Sequence, residues 1–165
     1  MIRNATPADF DAILRINDEA QPKVMRLSRD ELATVLAAAP QFLVWTEDGR
    51  IVGYVIVYTN AVDYDGEEFA WFRANLPGSF LYVDQIAIAP EAQGRGIGRR
   101  IYEALIERAR TTGARSLACE VNVLPPNPES LAFHARVGFV EAGRMATSDG
   151  REVCFLTRAL QVGLI

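Results

Sequence analysis

Hydrophobic residues recur along this chain with two different periods, and the period predicts where the chain is helical and where it is extended. Apolar residues three and four apart, with start and stop signals around them, predict four helices. Phe10, Ile13, Leu14 and Asn17, for example, fall on one face of the first helix. The first helix begins at Pro7, after the N-cap candidate Thr6, and the second begins at the capping box Ser28–Glu31 and ends at Pro40. The third helix spans about 97–112 and the fourth about 129–137.

Runs of β-branched and aromatic residues predict seven strands. Two of these runs, within 42–58, flank Asp48-Gly49, a dipeptide typical of a two-residue hairpin turn. The other strands lie at about 1–5, 80–90, 116–123, 139–147 and 152–160, and the last two form a closing hairpin. The order β, α, α, β, β, β, α, β, α, β, β has no repeat and no linker. It predicts one mixed-sheet α+β or α/β domain over residues 1–165.

The stretch 59–79 fits neither period. It is long for a connection between two strands, and such segments are usually functional or disordered. Five aromatic residues lie between Tyr58 and Phe72. We therefore expect an ordered loop, which serves either as a lid or as a contact in a homodimer.

Charge and composition narrow the function classes. The chain has 17 basic and 21 acidic residues, a formal net charge of −4, which argues against a general nucleic-acid binder. Its first residues turn polar at once, and the apolar run 51–58 is too short to span a membrane. We therefore expect a cytoplasmic protein in which Cys119 and Cys154 are reduced. One His and two distant Cys argue against a metal site.

A glycine-rich turn, GRGIG at 94–98, lies between a predicted strand and a predicted helix. Glycines allow successive backbone N–H groups to face an anion, and the helix N-terminus adds partial positive charge. A P-loop would continue with Lys and Ser or Thr, whereas Gly98 is followed by two arginines. A dinucleotide fingerprint would need its third glycine at position 99 or 101, and these positions are Arg99 and Ile101. The turn is either a binding site for another phosphate ligand or a packing feature.

The spacing Gln93-x-x-Gly96-x-Gly98 resembles the pyrophosphate-binding Q/R-x-x-G-x-G/A signature of the GNAT superfamily of N-acetyltransferases. A second segment, NPESLAFHARVGF at 127–139, is similar to the family's N-x-x-S-x-x-F-Y-x-x-x-G-F motif. The order of the predicted elements also follows that of the family, so the resemblance covers essentially the whole chain.

The resemblance implies a GNAT-like α/β fold, in which a central, mostly antiparallel sheet is splayed between the fourth and fifth strands and flanked by about four helices. It implies an acyltransferase that moves an acetyl group from acetyl-CoA to a primary amine, on a small molecule or a protein terminus, by direct attack in a ternary complex. An acyl-CoA-binding regulatory module without turnover is the alternative. Nucleic acid, membrane and metal are not expected as partners.

By the same resemblance, backbone amides of the turn bind the CoA pyrophosphate, and the strand before it pairs with the pantetheine arm. A strand bulge would aim an N–H group at the thioester oxygen, where negative charge develops. Side chains of the second motif, with Asn122 as a weaker candidate, contact the arm near the sulfur. The implied cofactor-binding residues are Ile86, Ala87, Ile88, Gln93, Gly94, Arg95, Gly96, Ile97, Gly98, Arg99, Asn122, Asn127, Ser130 and Phe133.

Three residues are candidates for proton transfer. His134 stands where the family most often has a Tyr that protonates the departing thiolate, so it is either that acid or a ring that fills the same space. Asp84 and Glu120 lie within apolar strands, where a charge without a role or a partner is costly. Either carboxylate could take the proton of the amine, with a slight preference for Asp84; either could instead face solvent or an Arg.

The acceptor is expected to contact the first two helices and the stretch 58–76, in which aromatic rings and acids combine. That mixture suits a cationic amine through charge and cation–π attraction. The alternative is that the acids are solvated and the rings pack on the core. The candidate acceptor-binding residues are Tyr58, Asp63, Tyr64, Trp71 and Tyr82.

Overall fold

The helices and strands of the computed structural model, which describes residues 1–38 and 41–161, follow the predicted order with one addition. The strands are β1 Ile2–Asn4, β2 Gln41–Glu47, β3 Arg50–Thr59, β4 Phe80–Ile88, β5 Ser116–Leu124, β6 Val140–Ala146 and β7 Glu152–Ala159. The helices are α1 Phe10–Glu19, α2 Arg29–Ala38, α3 Glu67–Asn75, α4 Ile97–Thr112 and α5 Pro128–Arg136. The addition is α3, where the sequence predicts a loop. The expected boundary at Pro40 lies outside the described residues.

The chain divides into two compact units, Met1–Tyr58 with Val83–Leu105 and Thr59–Tyr82 with Ile106–Ile165. In the first unit the hydrogen-bonded neighbours are β1, β2, β3 and β4, in that order. In the second unit they are β4, β5, β7 and β6, so β4 contributes to both. The single domain expected over 1–165 stays a prediction.

The sheet is mixed and splayed, as the resemblance implied. β1 with β2, β2 with β3, β5 with β7, and β6 with β7 are antiparallel. β4 and β5 are parallel and nine residues long, yet their register covers only Phe80–Tyr82 with Ser116–Ala118. The predicted fold class is therefore confirmed.

Local sequence signals account for the turns and helix starts of the first unit. Asp48 (φ 47°) and Gly49 (φ 74°) form the hairpin turn between β2 and β3, as predicted. The Ser28 N–H donates to the Glu31 carboxylate at 2.7 Å, and the Glu31 N–H donates to the Ser28 hydroxyl at 3.2 Å. That reciprocal pair is the predicted capping box at the start of α2.

The inner face of α1 ends on a polar residue, Asn17, which is fully buried. Its amide nitrogen donates to the Tyr54 hydroxyl and to the Met25 carbonyl oxygen, both at 2.9 Å. Its amide oxygen accepts from the Leu27 N–H at 2.9 Å. These bonds satisfy the buried amide of Asn17, and they hold the connection between α1 and α2 against β3.

The second unit has an aromatic core under α3. Phe69 and Phe72 of α3 are fully buried, and their rings pack at 5.4–5.8 Å from that of Tyr82. Cys119 and Cys154, on the neighbouring strands β5 and β7, are buried thiols. Burial raises the pKa of Cys154. Among the described residues, no helix is long and apolar enough to cross a lipid bilayer.

Candidate active site

The glycine-rich turn joins β4 to α4 in the first unit. After Ile88, the backbone of Gly94 (φ 74°) and Gly96 (φ 76°) is left-handed, which a residue with a Cβ rarely adopts. A Cβ built on either glycine meets no atom within 4 Å. The Arg100 N–H makes the first helical hydrogen bond, to the Gly96 carbonyl oxygen. The N–H groups of 97–99 therefore have no acceptor within the helix, and the turn can bind an anion.

The polar side chains of this turn already contact the protein. Gln93 donates from Nε2 to the Ile88 carbonyl oxygen at 3.0 Å, which ties the turn to the end of β4. Arg95 forms an ion pair with Glu47 at 2.9 Å, and Arg99 pairs with a glutamate one turn later in α4. Both arginines are largely exposed. Anion binding here depends first on backbone N–H groups, with two arginine charges at the rim.

The stretch of β4 before the turn lies against Gly53 of β3. A Cβ on Gly53 would lie 2.8 Å from Cδ1 of Ile88 and 3.2 Å from the Ala87 carbonyl oxygen. Ala87 is buried, whereas Ile86 and Ile88 are half-buried. Gly53 therefore permits the close approach of β3 to the segment expected to pair with pantetheine. An isolated glycine in a strand pattern is the signal that could have identified it.

Asp84 lies half-buried in β4, near two buried tyrosines of β3. Burial raises the pKa of Tyr58, and the charge of Asp84 raises it further. Burial and the charge of Asp84 also raise the pKa of Tyr54, although its hydrogen bond with Asn17 opposes the change. Tyr58, a candidate acceptor-binding residue, is 2% exposed and belongs to the first unit. Asp84 and Tyr58 thus come together, as two of the predicted site residues.

Glu120 lies in the second unit, just beyond the point where β4 and β5 stop pairing. Tyr82 is opposite Ala118 in the last parallel pair, and Glu120 follows two residues later on the same face of β5. The Tyr82 hydroxyl lies 2.8 and 2.7 Å from the two carboxylate oxygens of Glu120, to which it donates. Tyr82 is therefore a hydrogen-bond donor to a candidate base as well as a candidate acceptor-binding residue.

The aromatic residues of the stretch 59–79, here called the insert, pack within the second unit. The Tyr64 ring lies 6.2 Å from that of Tyr82 and 5.5 Å from that of Phe69. Trp71 stacks on Phe155 of β7, with ring centroids 4.0 Å apart and planes 9° apart. Asp63, in contrast, is exposed. Tyr64 therefore lies beside Tyr82, the hydrogen-bond donor to Glu120.

Acids of α3 bind the turn between β6 and β7. The Glu68 carboxylate accepts from Arg151 at 2.7 Å, and that of Glu67 accepts from the Ser148 N–H at 3.0 Å. Arg151 also donates to Oδ1 of Asn122 at 3.2 Å. Asn122, expected to contact pantetheine, therefore already has a protein donor on its oxygen. No local sequence signal points to these two contacts of Arg151, because Asn122 and Glu68 are 29 and 83 residues away.

Asn127 and Ser130 of the second motif form the start of α5. Asn127 is the N-cap, and its Oδ1 accepts from the Ser130 N–H at 3.4 Å. Asn127, Ser130 and Phe133 are half-buried. A capping role explains the Asn within the protein, and the expected contact of these residues with pantetheine stays a prediction.

His134 is 4% exposed, and its ring lies between Phe133 and Phe139 at 5.1 and 5.3 Å. Its Nδ1 lies 2.8 Å from the Ser130 carbonyl oxygen, which can only accept, so Nδ1 carries a proton. Burial lowers the pKa of His134, although the bond to Ser130 opposes the change. The imidazole is therefore mainly neutral near pH 7.

Among the described residues, no group of three or more His, Cys, Asp or Glu is arranged to hold a metal ion. The predicted site residues fall in two sets. Asp84, Tyr58, 86–88 and the glycine turn belong to the first unit, and the remaining candidates belong to the second.

Comparison with known proteins identifies what these features resemble. Residues 9–139 match the family model described as "Acetyltransferase (GNAT) family". Over 115 residues the chain is 33% identical to the phosphinothricin N-acetyltransferase of Alcaligenes faecalis, covering 70% of this chain and 52% of that protein. It is 28% identical to the L-2,4-diaminobutyric acid acetyltransferase of Nocardia farcinica, covering 76% and 63%. The chain thus spans between half and two thirds of the length of these two relatives.

Solved structures share the fold. The ribosomal-protein-S18-alanine N-acetyltransferase of Escherichia coli superposes with a TM-score of 0.74 at 20% identity, covering 99% of this chain and 96% of that one. The phosphinothricin acetyltransferase of Sinorhizobium meliloti, solved with acetyl-CoA, gives 0.72 at 24% identity, covering 99% and 89%.

Proposed function

The chain belongs to the GNAT acetyltransferase family, and on that premise we propose that it transfers an acetyl group from acetyl-CoA to a primary amine. One observation carries the proposal: the left-handed glycines 94 and 96 leave open space at the N-terminus of α4. A pyrophosphate needs several N–H donors in such a place, and a helix N-terminus provides them together with favourable charge.

The residues at this turn fit the CoA pyrophosphate. The backbone N–H groups of 93–99 would hold it, with Arg95 and Arg99 at the rim. The backbone of 86–88 would pair with pantetheine, and Asn122, Asn127, Ser130 and Phe133 remain candidates for the same arm. Acetyl-CoA supplies the acetyl thioester and accepts a proton as its thiolate departs.

The acceptor amine must lose a proton before it attacks, and Asp84 and Glu120 are the proposed bases. Asp84 has two phenols nearby. Glu120 accepts from the Tyr82 hydroxyl, which lies 2.8 and 2.7 Å from its two oxygens and orients the carboxylate. We expect Asp84→Asn or Glu120→Gln to lower kcat roughly 100-fold or more at the true base, with loss of the acid limb of the pH profile. Full activity in both variants would mean that water alone takes the proton.

His134 is the proposed proton donor to the departing CoA thiolate, and its burial predicts how kcat depends on pH. The neutral imidazole predominates near pH 7, because burial lowers the pKa of His134. If the protonated imidazole is the donor, kcat should increase as the pH falls toward that lowered pKa, since more of the enzyme then carries the proton. His134→Phe should then lower kcat far more than the affinity for acetyl-CoA. An unchanged kcat would leave His134 as a packing residue between Phe133 and Phe139.

The proposed acceptor is a primary amine of a small molecule or of a protein or peptide. The two relatives are named for small-molecule substrates, so small amines form the first part of a screening panel and peptide N-termini the second. A cytoplasmic location is part of the proposal, to be checked by fractionation. A homodimer is also part of it, to be checked by light scattering.

The decisive experiment incubates the protein with acetyl-CoA and the amine panel, and follows CoA release and product mass. We expect an amine whose mass increases by one acetyl group, together with an equal amount of CoA. Binding of acetyl-CoA without an acetylated product from any amine would overturn the proposed function and favour a binding module.

A further inference from the structure

The insert helix α3 is fastened to the rest of the second unit through Arg151, the residue just before β7. Its guanidinium donates to Glu68 of α3 at 2.7 Å, to Asp149 at 2.9 Å and to Asn122 of β5 at 3.2 Å. The side chains of Arg151 and Glu68 are only 24% and 14% exposed. One side chain therefore joins the insert, the β6–β7 turn and β5. Its pair with Glu68 is largely shielded from solvent, so salt screens that pair only weakly.

The same helix is also held by its indole. Trp71 stacks on Phe155, and Gly143 of β6 leaves the space that the ring fills. Glu67 binds Ser148 at the start of α3. Contacts of three chemical kinds, an ion pair, a ring stack and a hydrogen bond, thus fix α3 in one position.

Two of the residues in these contacts, Phe155 and Asn122, are neighbours of Glu120 in the sheet. Phe155, which carries the Trp71 ring, is directly opposite Glu120 in the β5–β7 register. Asn122, which accepts from Arg151, lies two residues beyond Glu120 and hence on the same face of β5. We call this the Glu120 face, defined by Glu120, Asn122 and Phe155. α3 is docked on the face that presents the candidate base.

We propose that Arg151 is a positioning residue that holds α3 on the Glu120 face, so that the insert is a fixed wall of the acceptor site. The inference rests on the proposed function, with the amine deprotonated at Glu120. A wall adds affinity for the acceptor when it is already in place, because no ordering cost is then incurred on binding. Loss of Arg151 should therefore weaken acceptor binding more than acetyl-CoA binding, because Arg151 bonds directly to α3 and, among the candidate pantetheine contacts, to Asn122.

Trp71 provides a readout that is independent of activity. The chain has two Trp residues, so Trp45→Phe leaves Trp71 as the single indole emitter in a reference protein. In this background Arg151→Met retains the aliphatic stem and removes the guanidinium. Glu68→Gln, which removes only the charge, is the milder variant should Arg151→Met fail to fold. Arg144→Met is the matched control, because Arg144 pairs with Glu141 within β6.

The test compares the Michaelis constants for acceptor and acetyl-CoA with the acrylamide quenching of Trp71. For Arg151→Met we expect about a tenfold higher KM for the acceptor, a smaller change in the KM for acetyl-CoA, and stronger quenching. Glu68→Gln should move the same quantities in the same direction, and Arg144→Met should move none of them.

Unchanged quenching in both Arg151→Met and Glu68→Gln would overturn the role of Arg151 in holding α3. Stronger quenching with an unchanged KM for the acceptor would overturn the role of α3 as a wall of the site. A reference protein that acetylates no amine would overturn the proposed function, and with it the acceptor part of the inference, while quenching still reports on docking.

Discussion

The indole of Trp71 fills the space that a side chain at Gly143 would need. A Cβ on Gly143 would lie 2.6 Å from Cζ2 and 3.0 Å from Cη2 of the indole. Apart from atoms of its own and adjacent residues, a Cβ atom essentially never has a heavy atom within 3.0 Å. The indole cannot move away freely, because Phe155 stacks against it at 4.0 Å. The absence of a side chain at 143 is thus a condition for docking α3.

Gly143→Ala should therefore displace the indole. We expect a loss of about 1–3 kcal/mol in the free energy of unfolding, the usual cost of overpacking. Denaturant melts would measure it. In a Trp71→Phe background the same substitution should cost clearly less, because the smaller ring lacks the clashing atoms. An equal loss in both backgrounds would locate the strain elsewhere.

Gly96→Ala should separate backbone strain from ligand binding. Gly96 and Gly113 have φ values of 76° and 71°, and a Cβ on either meets nothing within 4 Å. Alanine in the left-handed region costs about 1–2 kcal/mol per residue. Gly96→Ala and the control Gly113→Ala should therefore lose similar amounts of stability. Gly96→Ala alone should weaken acetyl-CoA binding, about tenfold or more by calorimetry. Equal affinities in the two variants would contradict the anion site.

The imidazole of His134 should titrate below its usual range, since burial lowers its pKa. As the pH falls through about 6.5, the unfolded chain binds the proton before the folded one does. Stability is therefore complete above that pH and declines below it. His134 is the only His, so a single NMR resonance reports the midpoint. His134→Phe should remove this part of the pH dependence, and an unaltered curve would contradict it.

Asp9 should stabilise the first unit through its carboxylate. Arg3 donates to both carboxylate oxygens at 2.8 Å, and these bonds, with those from Thr6, lower the pKa of Asp9 to about 2. The stabilisation is present above the unfolded pKa near 4 and is lost as the pH falls toward 2. Asp9→Asn should cost about 2 kcal/mol at pH 7. The exposed pair of Asp11 with Arg29 is the control, and Asp11→Asn should cost less than about 1 kcal/mol.

Local signals predicted most of the first unit. The Asp48-Gly49 turn and the Ser28–Glu31 capping box are specified by residues within a few positions of one another. The glycine turn was recognisable for the same reason, because positive φ values and a helix start need particular residues at short spacing.

The insert was not predictable in the same way. Phe69 and Phe72 have helical spacing, and Glu67 and Arg73 stand at the favourable ends, but Trp71 interrupts a clean apolar face. What the indole covers, and what Arg151 binds, depends on strands that are far away along the chain. A pattern of single positions carries no information about such pairs. The same limit applies to Asn122, whose oxygen is used by a residue 29 positions later.

The two buried thiols have a practical consequence for measuring turnover. Cys119 and Cys154 are 3% and 2% exposed, and burial raises the pKa of Cys154, so little reactive thiolate is presented to solvent. A disulfide reagent that changes colour on meeting a thiol should therefore react with released CoA and leave the folded protein untouched. Applied without acetyl-CoA, the same reagent should measure the rate at which the second unit opens. Colour then develops only as Cys119 of β5 and Cys154 of β7 become exposed.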